Sequence, residues 1–124
     1  MMELTINGQV YEFNFGMGFL KDVNGQKKQP VPGAPGITKN VGLSFAVASI
    51  LDDDVEELVN LLYLANKGRS PRVTKDLLCQ YIDQDDTNID DLFEETRRFL
   101  SESNATGRVT RKLIEELEKQ RAEN

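Results

Sequence analysis

The sequence predicts an α+β fold, mostly helical, in which an N-terminal β-hairpin packs on a small helical bundle and a C-terminal helix could stand detached from it. Three observations carry that expectation. Asn7-Gly8 lies between two runs of alternating apolar and polar residues, Glu3 to Ile6 and Gln9 to Phe15, and an Asn-Gly pair supplies the two positive-φ positions of a type I′ turn. Beyond residue 40 apolar residues recur at helical spacing, and Asp54, Thr74 and Asn88 stand where a first helical turn needs an acceptor. A chain of 124 residues, 39% of them hydrophobic, can bury one core and is shorter than the length at which domains split.

Taken in order, the hairpin places Leu4 and Ile6 on one face with Val10 or Tyr11 and Phe13 across the turn. A two-stranded ribbon is marginal in water, so that face must be covered. The cover begins with a short helix over residues 16–23, where Phe15, Phe19, Leu20 and Val23 recur at helical spacing. Asn24-Gly25 ends it. Residues 25–37 contain Gly25, Pro30, Pro32, Gly33, Pro35 and Gly36 and are expected to form an exposed loop, because that composition sustains neither a helix nor a central strand.

From Asn40 to Leu51 the chain is nearly continuously apolar, the pattern of a buried, central helix. Asp52-Asp-Asp54 then caps a helix running to about Asn66, with Val55, Leu58, Val59, Leu62 and Leu64 or Ala65 inward and Glu56 and Glu57 favoured by the dipole of its first turn. Thr74 caps a segment to about Gln84 with Leu77, Leu78, Tyr81 and Ile82 inward, and Cys79 falls in the same periodicity as an expected core thiol. Asn88 caps a segment to about Ser103 with Ile89, Leu92, Phe93, Thr96, Phe99 and Leu100 inward. The last segment, about 108–121, has only Val109, Leu113, Ile114 and Leu117 as an apolar stripe on a charged surface. Residues 1–103 therefore form one hairpin-plus-helices domain, and 104–124 a charged C-terminal helix or tail.

Composition narrows the chemistry. The chain has no histidine, which removes the commonest general base, the Ser-His-Asp and Cys-His nucleophile systems and the usual ligand of zinc, copper and haem. No glycine-rich phosphate loop or dinucleotide fingerprint is present, so neither an enzyme nor a cofactor is expected. Asp83 to Glu94 has acidic residues at three positions of a calcium loop, but Thr87 and Asn88 replace a ligand and the turn glycine, and the acidic residues suit a helix start instead. The net charge is −6, with +1 up to Leu51 and −7 beyond it, which argues against a nucleic-acid backbone as the main partner. A basic run, Lys67, Arg69, Arg72 and Lys75, or else the basic residues Arg108, Arg111 and Lys112, supports an alternative reading as a small acidic regulatory adaptor, nucleic-acid linked through that basic loop or through those residues. No run is long enough to cross a membrane and the first residues lack the pattern of a secretory signal, so a soluble, intracellular protein without membrane partners is expected. The apolar stripe Val109, Leu113, Ile114 and Leu117 is the candidate surface for a client or a second copy, and homo-oligomerisation stays open.

Leu4-Thr-Ile-Asn-Gly8, Tyr11 to Leu20 with its Phe-Gly-Met-Gly-Phe-Leu centre, Asn40-Val-Gly-Leu43, Asp53-Asp-Val55, Ala65-Asn-Lys-Gly68, Thr74 to Asp83 and Ser103-Asn-Ala-Thr106 occur in this order. This ordered set resembles the tail assembly chaperones of long-tailed phages and prophages of Gram-positive bacteria, over nearly the whole chain. The resemblance implies a non-enzymatic protein of the host cytoplasm, absent from the mature virion. Such a protein binds the long, helix-rich tape measure protein, keeps it soluble and helps tail tube protein subunits polymerise around it. It carries over no catalytic, cofactor or metal residues. In many such phages a translational frameshift extends some copies at the C terminus.

Overall fold

In a computed structural model, which describes residues 1–123, the chain opens with β1 (Met2–Ile6) and β2 (Gln9–Phe13), paired antiparallel with Leu4 opposite Tyr11 and Met2 opposite Phe13. Asn7 and Gly8 both have positive φ, 52° and 78°, the backbone that the Asn-Gly pair permits. The register puts Tyr11 rather than Val10 on the covered face: Met2, Leu4, Ile6 and Phe13 are buried, and Val10 is exposed.

The hairpin is followed by α1 (Met17–Asn24), then by a second antiparallel hairpin of β3 (Lys28–Pro30) and β4 (Thr38–Asn40) within and beside the segment expected to be loop. This corrects the expectation for 25–37, and the register explains how the ribbon tolerates Pro30. Val41 N–H donates to Lys27 O and Val31 N–H to Ile37 O, so the alternation of the ladder puts Pro30 at a position whose missing N–H points away from β4. Every β3 and β4 residue is exposed, as expected of a two-stranded arm lying off the core.

Five helices complete the chain: α2 (Gly42–Leu51), α3 (Val55–Ala65), α4 (Lys75–Asp83), α5 (Ile89–Glu102) and α6 (Gly107–Glu123). Among the described residues the fold is thus α+β and mostly helical. The three expected caps are in place. Asp54 Oδ1 accepts from Glu57 N–H, Thr74 Oγ1 from Leu77 N–H and Asn88 Oδ1 from Asp91 N–H, each at 3.1 Å. The first helix of this group instead borrows its cap, because Leu43 N–H donates to Asn24 Oδ1 of α1 at 3.2 Å. That bond requires α1 and α2 to approach closely, and Gly42 makes it feasible: a Cβ there would overlap the Val23 carbonyl.

The core centre lies on α3, not α2. Leu58, Leu61 and Leu62 are completely buried, and α3 packs against α1, α2 and α4. By contrast α2 buries Leu43, Ala46, Val47 and Ile50 but leaves Phe45 54% exposed, with Ala48 exposed on the same side. The expectation of an enclosed helix fails there because, among the described residues, nothing covers the face that carries Phe45 and Ala48. Inward residues of α4 and α5 follow the predicted stripe with graded depth: Leu78, Leu92, Thr96 and Leu100 are buried, while Leu77, Tyr81, Ile82, Ile89, Phe93 and Phe99 are half-buried against the core. Cys79, expected in the core, is exposed; it falls just outside the arc of α4 that Leu78 and Ile82 direct inward, and a one-residue offset turns a helical side chain by about 100°.

Asn66 ties the elements together. It is completely buried. Its Nδ2 donates to Glu12 O at 2.9 Å and Pro71 O at 3.3 Å, and its Oδ1 accepts from Val73 N–H at 2.6 Å and Arg72 Nη1 at 3.0 Å. One side chain thereby joins β2, the end of α3 and the connection to α4, so that a buried amide leaves none of its capacity unmet.

Candidate interaction surface

The C-terminal helix does not stand apart: α6 packs on α2 and α5. Its start is firmly held. Gly107 and Thr110 are buried, and a Cβ at Gly107 would press on Ser101 O. Gly107 N–H donates to Ser103 O, Thr106 Oγ1 to Leu100 O and Thr110 Oγ1 to Thr106 O, at 2.7 to 2.8 Å. Ser103 Oγ reaches back to Phe15 O at the foot of the first hairpin. Of the C-terminal helix or tail expected over 104–124, Asn124 lies outside the described residues.

Along the helix this hold loosens. Of the four predicted stripe residues, Leu113 packs partly buried against the core, Ile114 and Leu117 are half-buried, and Val109 is 38% exposed. From Glu118 onward every described residue is exposed. The structure therefore brings Leu113, Ile114 and Leu117 to the seam between α6 and the bundle and leaves Val109 outside it. A groove opens on each flank of this seam. The one toward α2, about 340 Å³, is floored by Ala48, Leu51, Leu113 and Leu117 and edged by Asp52, Glu116 and Arg121. The one toward α5, about 200 Å³, holds Ile114, Phe93 and the other side of Leu117, with Arg97 at its margin within ion-pair range of Glu94 and Glu118.

Phe45 and Ala48 of α2 belong to the same exposed apolar region in a way that sequence reasoning missed. The uninterrupted apolar run of α2 predicts burial, whereas a helix apolar on all sides next to an open groove is also the pattern of an uncovered contact face. The signal was present: Phe45 and Ala48 are a turn apart on the side opposite Leu43, Val47 and Ile50.

The basic run is largely engaged at home. Arg72 Nη1 donates to Tyr63 O at 2.7 Å, its guanidinium lies 4.1 Å from the Tyr63 ring centroid, and Lys75 Nζ sits 5.2 Å from the same ring. Lys67 pairs with Asp22 at 3.2 Å. These contacts join α3, α4 and α1, so the chemistry offered for a nucleic-acid adaptor has an internal use. Among the described residues no group of three or more Cys, Asp or Glu is arranged to hold a metal ion, and no helix is long and apolar enough to cross a membrane.

The seam between α6 and the bundle is thus flanked by two grooves with apolar floors and charged margins. Among known families, the model of the phage tail assembly chaperone protein family, TAC, matches residues 3–116. The chain belongs to that family. Neither the curated proteins nor the solved structures compared with it contain a match.

Proposed function

We propose that this tail assembly chaperone has the tape measure protein as its client, holds the client's apolar helical stretches in solution and helps tail tube subunits assemble around it. The observation that carries the reading is the uncovered apolar surface along α2 and α6: Phe45, Val109 and the groove floored by Leu51, Leu113 and Leu117. A long helical client with apolar faces is matched by such grooves. The charge of −6 keeps the loaded complex dispersed by mutual repulsion. Val109, Leu113, Ile114 and Leu117 form the client-facing stripe, the last three from the margins of the seam. The role is non-enzymatic, and its place is the host cytoplasm before the tail is complete.

Co-expression with the tape measure protein of the same phage tests this reading. The tape measure protein is expected to precipitate alone and to remain in the soluble fraction, co-purifying with this chain, when both are made. A tape measure protein that stays insoluble and unbound in the presence of folded chaperone overturns it.

A further inference from the structure

Opposite charges are segregated along this chain. Between Asp22 and Asp52 there is no acidic residue, and the basic ones there, Lys27, Lys28 and Lys39, belong to the β3–β4 arm or its foot. All are exposed, and none joins an ion pair among the described residues. The ladder sorts them by face. Gln29 pairs with Lys39, Val41 N–H donates to Lys27 O and Val31 N–H to Ile37 O, and residues opposite each other or two apart along a strand point the same way. One face of the ribbon therefore carries Lys27, Gln29, Val31, Ile37 and Lys39, with Ile37 58% exposed. Asn60 Nδ2 of α3 donates to Gln26 Oε1 at 2.9 Å and ties down the foot of the arm. The opposite charge lies elsewhere. From Asp83 to Glu95 the end of α4, its turn to α5 and the start of α5 hold seven carboxylates and no basic residue. Asp90 and Asp91 suit the N-terminal dipole of α5, and Glu94 is within ion-pair range of Arg97. Asp83, Asp85 and Asp86 come before that helix, are exposed and join no ion pair among the described residues.

We propose that the β3–β4 arm of one copy docks on the α4–α5 corner of a second copy, with Lys27 and Lys39 against Asp83, Asp85 and Asp86 and Ile37 in the contact between them. Charge complementarity names the occupant. Copies carrying −6 each repel when like faces meet, and arm to corner is the approach that sets positive charge against negative. Arm to arm sets lysines against lysines and meets Pro30 on the outer edge of β3, where no N–H is offered. A ribbon of three residues a side is marginal alone and is steadied by a surface that holds it. Because the two surfaces differ, the contact is head-to-tail, and assembly extends beyond a pair unless its geometry closes. This inference goes beyond the client reading and does not rest on it.

The test is sedimentation velocity on the full chain over a concentration series, at about 0.05 M and about 1 M salt, with thermal unfolding of each variant alongside. The wild type is expected to associate at low salt and to disperse at high salt. One variant reverses the arm, Lys27→Glu with Lys39→Glu, and a second reverses the corner, Asp85→Lys with Asp86→Lys. All four positions are exposed, so the thermal midpoints are expected to stay near that of the wild type. Each variant alone is expected to associate at least about tenfold more weakly. An equimolar mixture of the two is expected to associate again at low salt, because each arm then finds a corner of opposite sign on the other variant. A wild-type chain that is monomeric at every concentration at low salt overturns the proposal and leaves the lysines as guards of an exposed ribbon edge. Association that survives in both variants, or a mixture that stays dispersed where the wild type associates, also overturns it. The tape measure protein is absent from this experiment, so solubilisation of that client succeeds or fails separately.

Discussion

Replacing Asn66 with Ala is expected to be among the most damaging single changes outside the apolar core. The substitution deletes four hydrogen bonds at once and removes few apolar contacts. Arg72 can turn to water because it is exposed, so its bond contributes little to the loss. The Val73 N–H, in a residue that is completely buried, has no such recourse, and the Glu12 and Pro71 carbonyls, in half-buried residues, have less of it. A buried backbone group left without a partner costs about 1–3 kcal/mol. Counting Val73 N–H in full, Glu12 O at the low end and the longer Pro71 bond as minor, the loss is about 3 kcal/mol. For a chain of this length that corresponds to a fall in Tm of roughly 10–15 °C, or a urea midpoint lowered by about 1.5 M at a slope near 2 kcal/mol/M. Urea denaturation with the slope fitted for each protein gives the number, and amide exchange locates it: Val73 N–H should lose its protection while the amides of α5 keep theirs up to the new global limit. A loss below about 1 kcal/mol, or a Val73 amide as protected as before, would refute the assignment of Asn66 as the joint between β2 and the α3–α4 connection.

Gly42→Ala should destabilise the chain by about 2–3 kcal/mol, because the new methyl group meets the Val23 carbonyl and overpacking against backbone cannot be relieved by a rotamer change; urea unfolding measures it, and a neutral result would mean that α1 and α2 separate readily. Thr74→Ala and Asn88→Ala should each cost about 1 kcal/mol through loss of a helix cap, and because the two caps serve different helices their effects should add in the double variant. Cys79 is exposed, so a thiol-specific reagent should modify it stoichiometrically in the native protein without added denaturant, whereas a core thiol would react only on unfolding.

The parts of the fold that were legible in the sequence are those settled within a few residues. The Asn7-Gly8 turn and the caps Asp54, Thr74 and Asn88 are local chemistry, each a side chain or backbone preference acting over three or four positions. The β3–β4 arm was hidden because its ladder is three residues long on each side and its prolines mask it; what permits the ribbon is the phase of the hydrogen bonds, a pairing property that no single strand displays. Of the candidate surface, the α6 stripe was visible as Val109, Leu113, Ile114 and Leu117, but its division into seam and exterior was not, because that depends on how far α6 lies along α2 and α5. Phe45 and Ala48 were misjudged for a related reason: an apolar face has the same sequence whether a neighbour covers it or not.

By itself the sequence determined the order and kind of the main elements, the acidic character of the C-terminal part and, through its ordered motifs, the family. These follow from short-range preferences and composition, which are written along the chain. Only the tertiary structure decided that α3 rather than α2 holds the core centre, that Asn66 bridges residues 12 and 73, that Cys79 faces outward and that grooves open beside α6. Each is a matter of which surfaces meet after the chain has closed on itself, and such contacts join residues far apart in sequence whose individual identities do not reveal their partners.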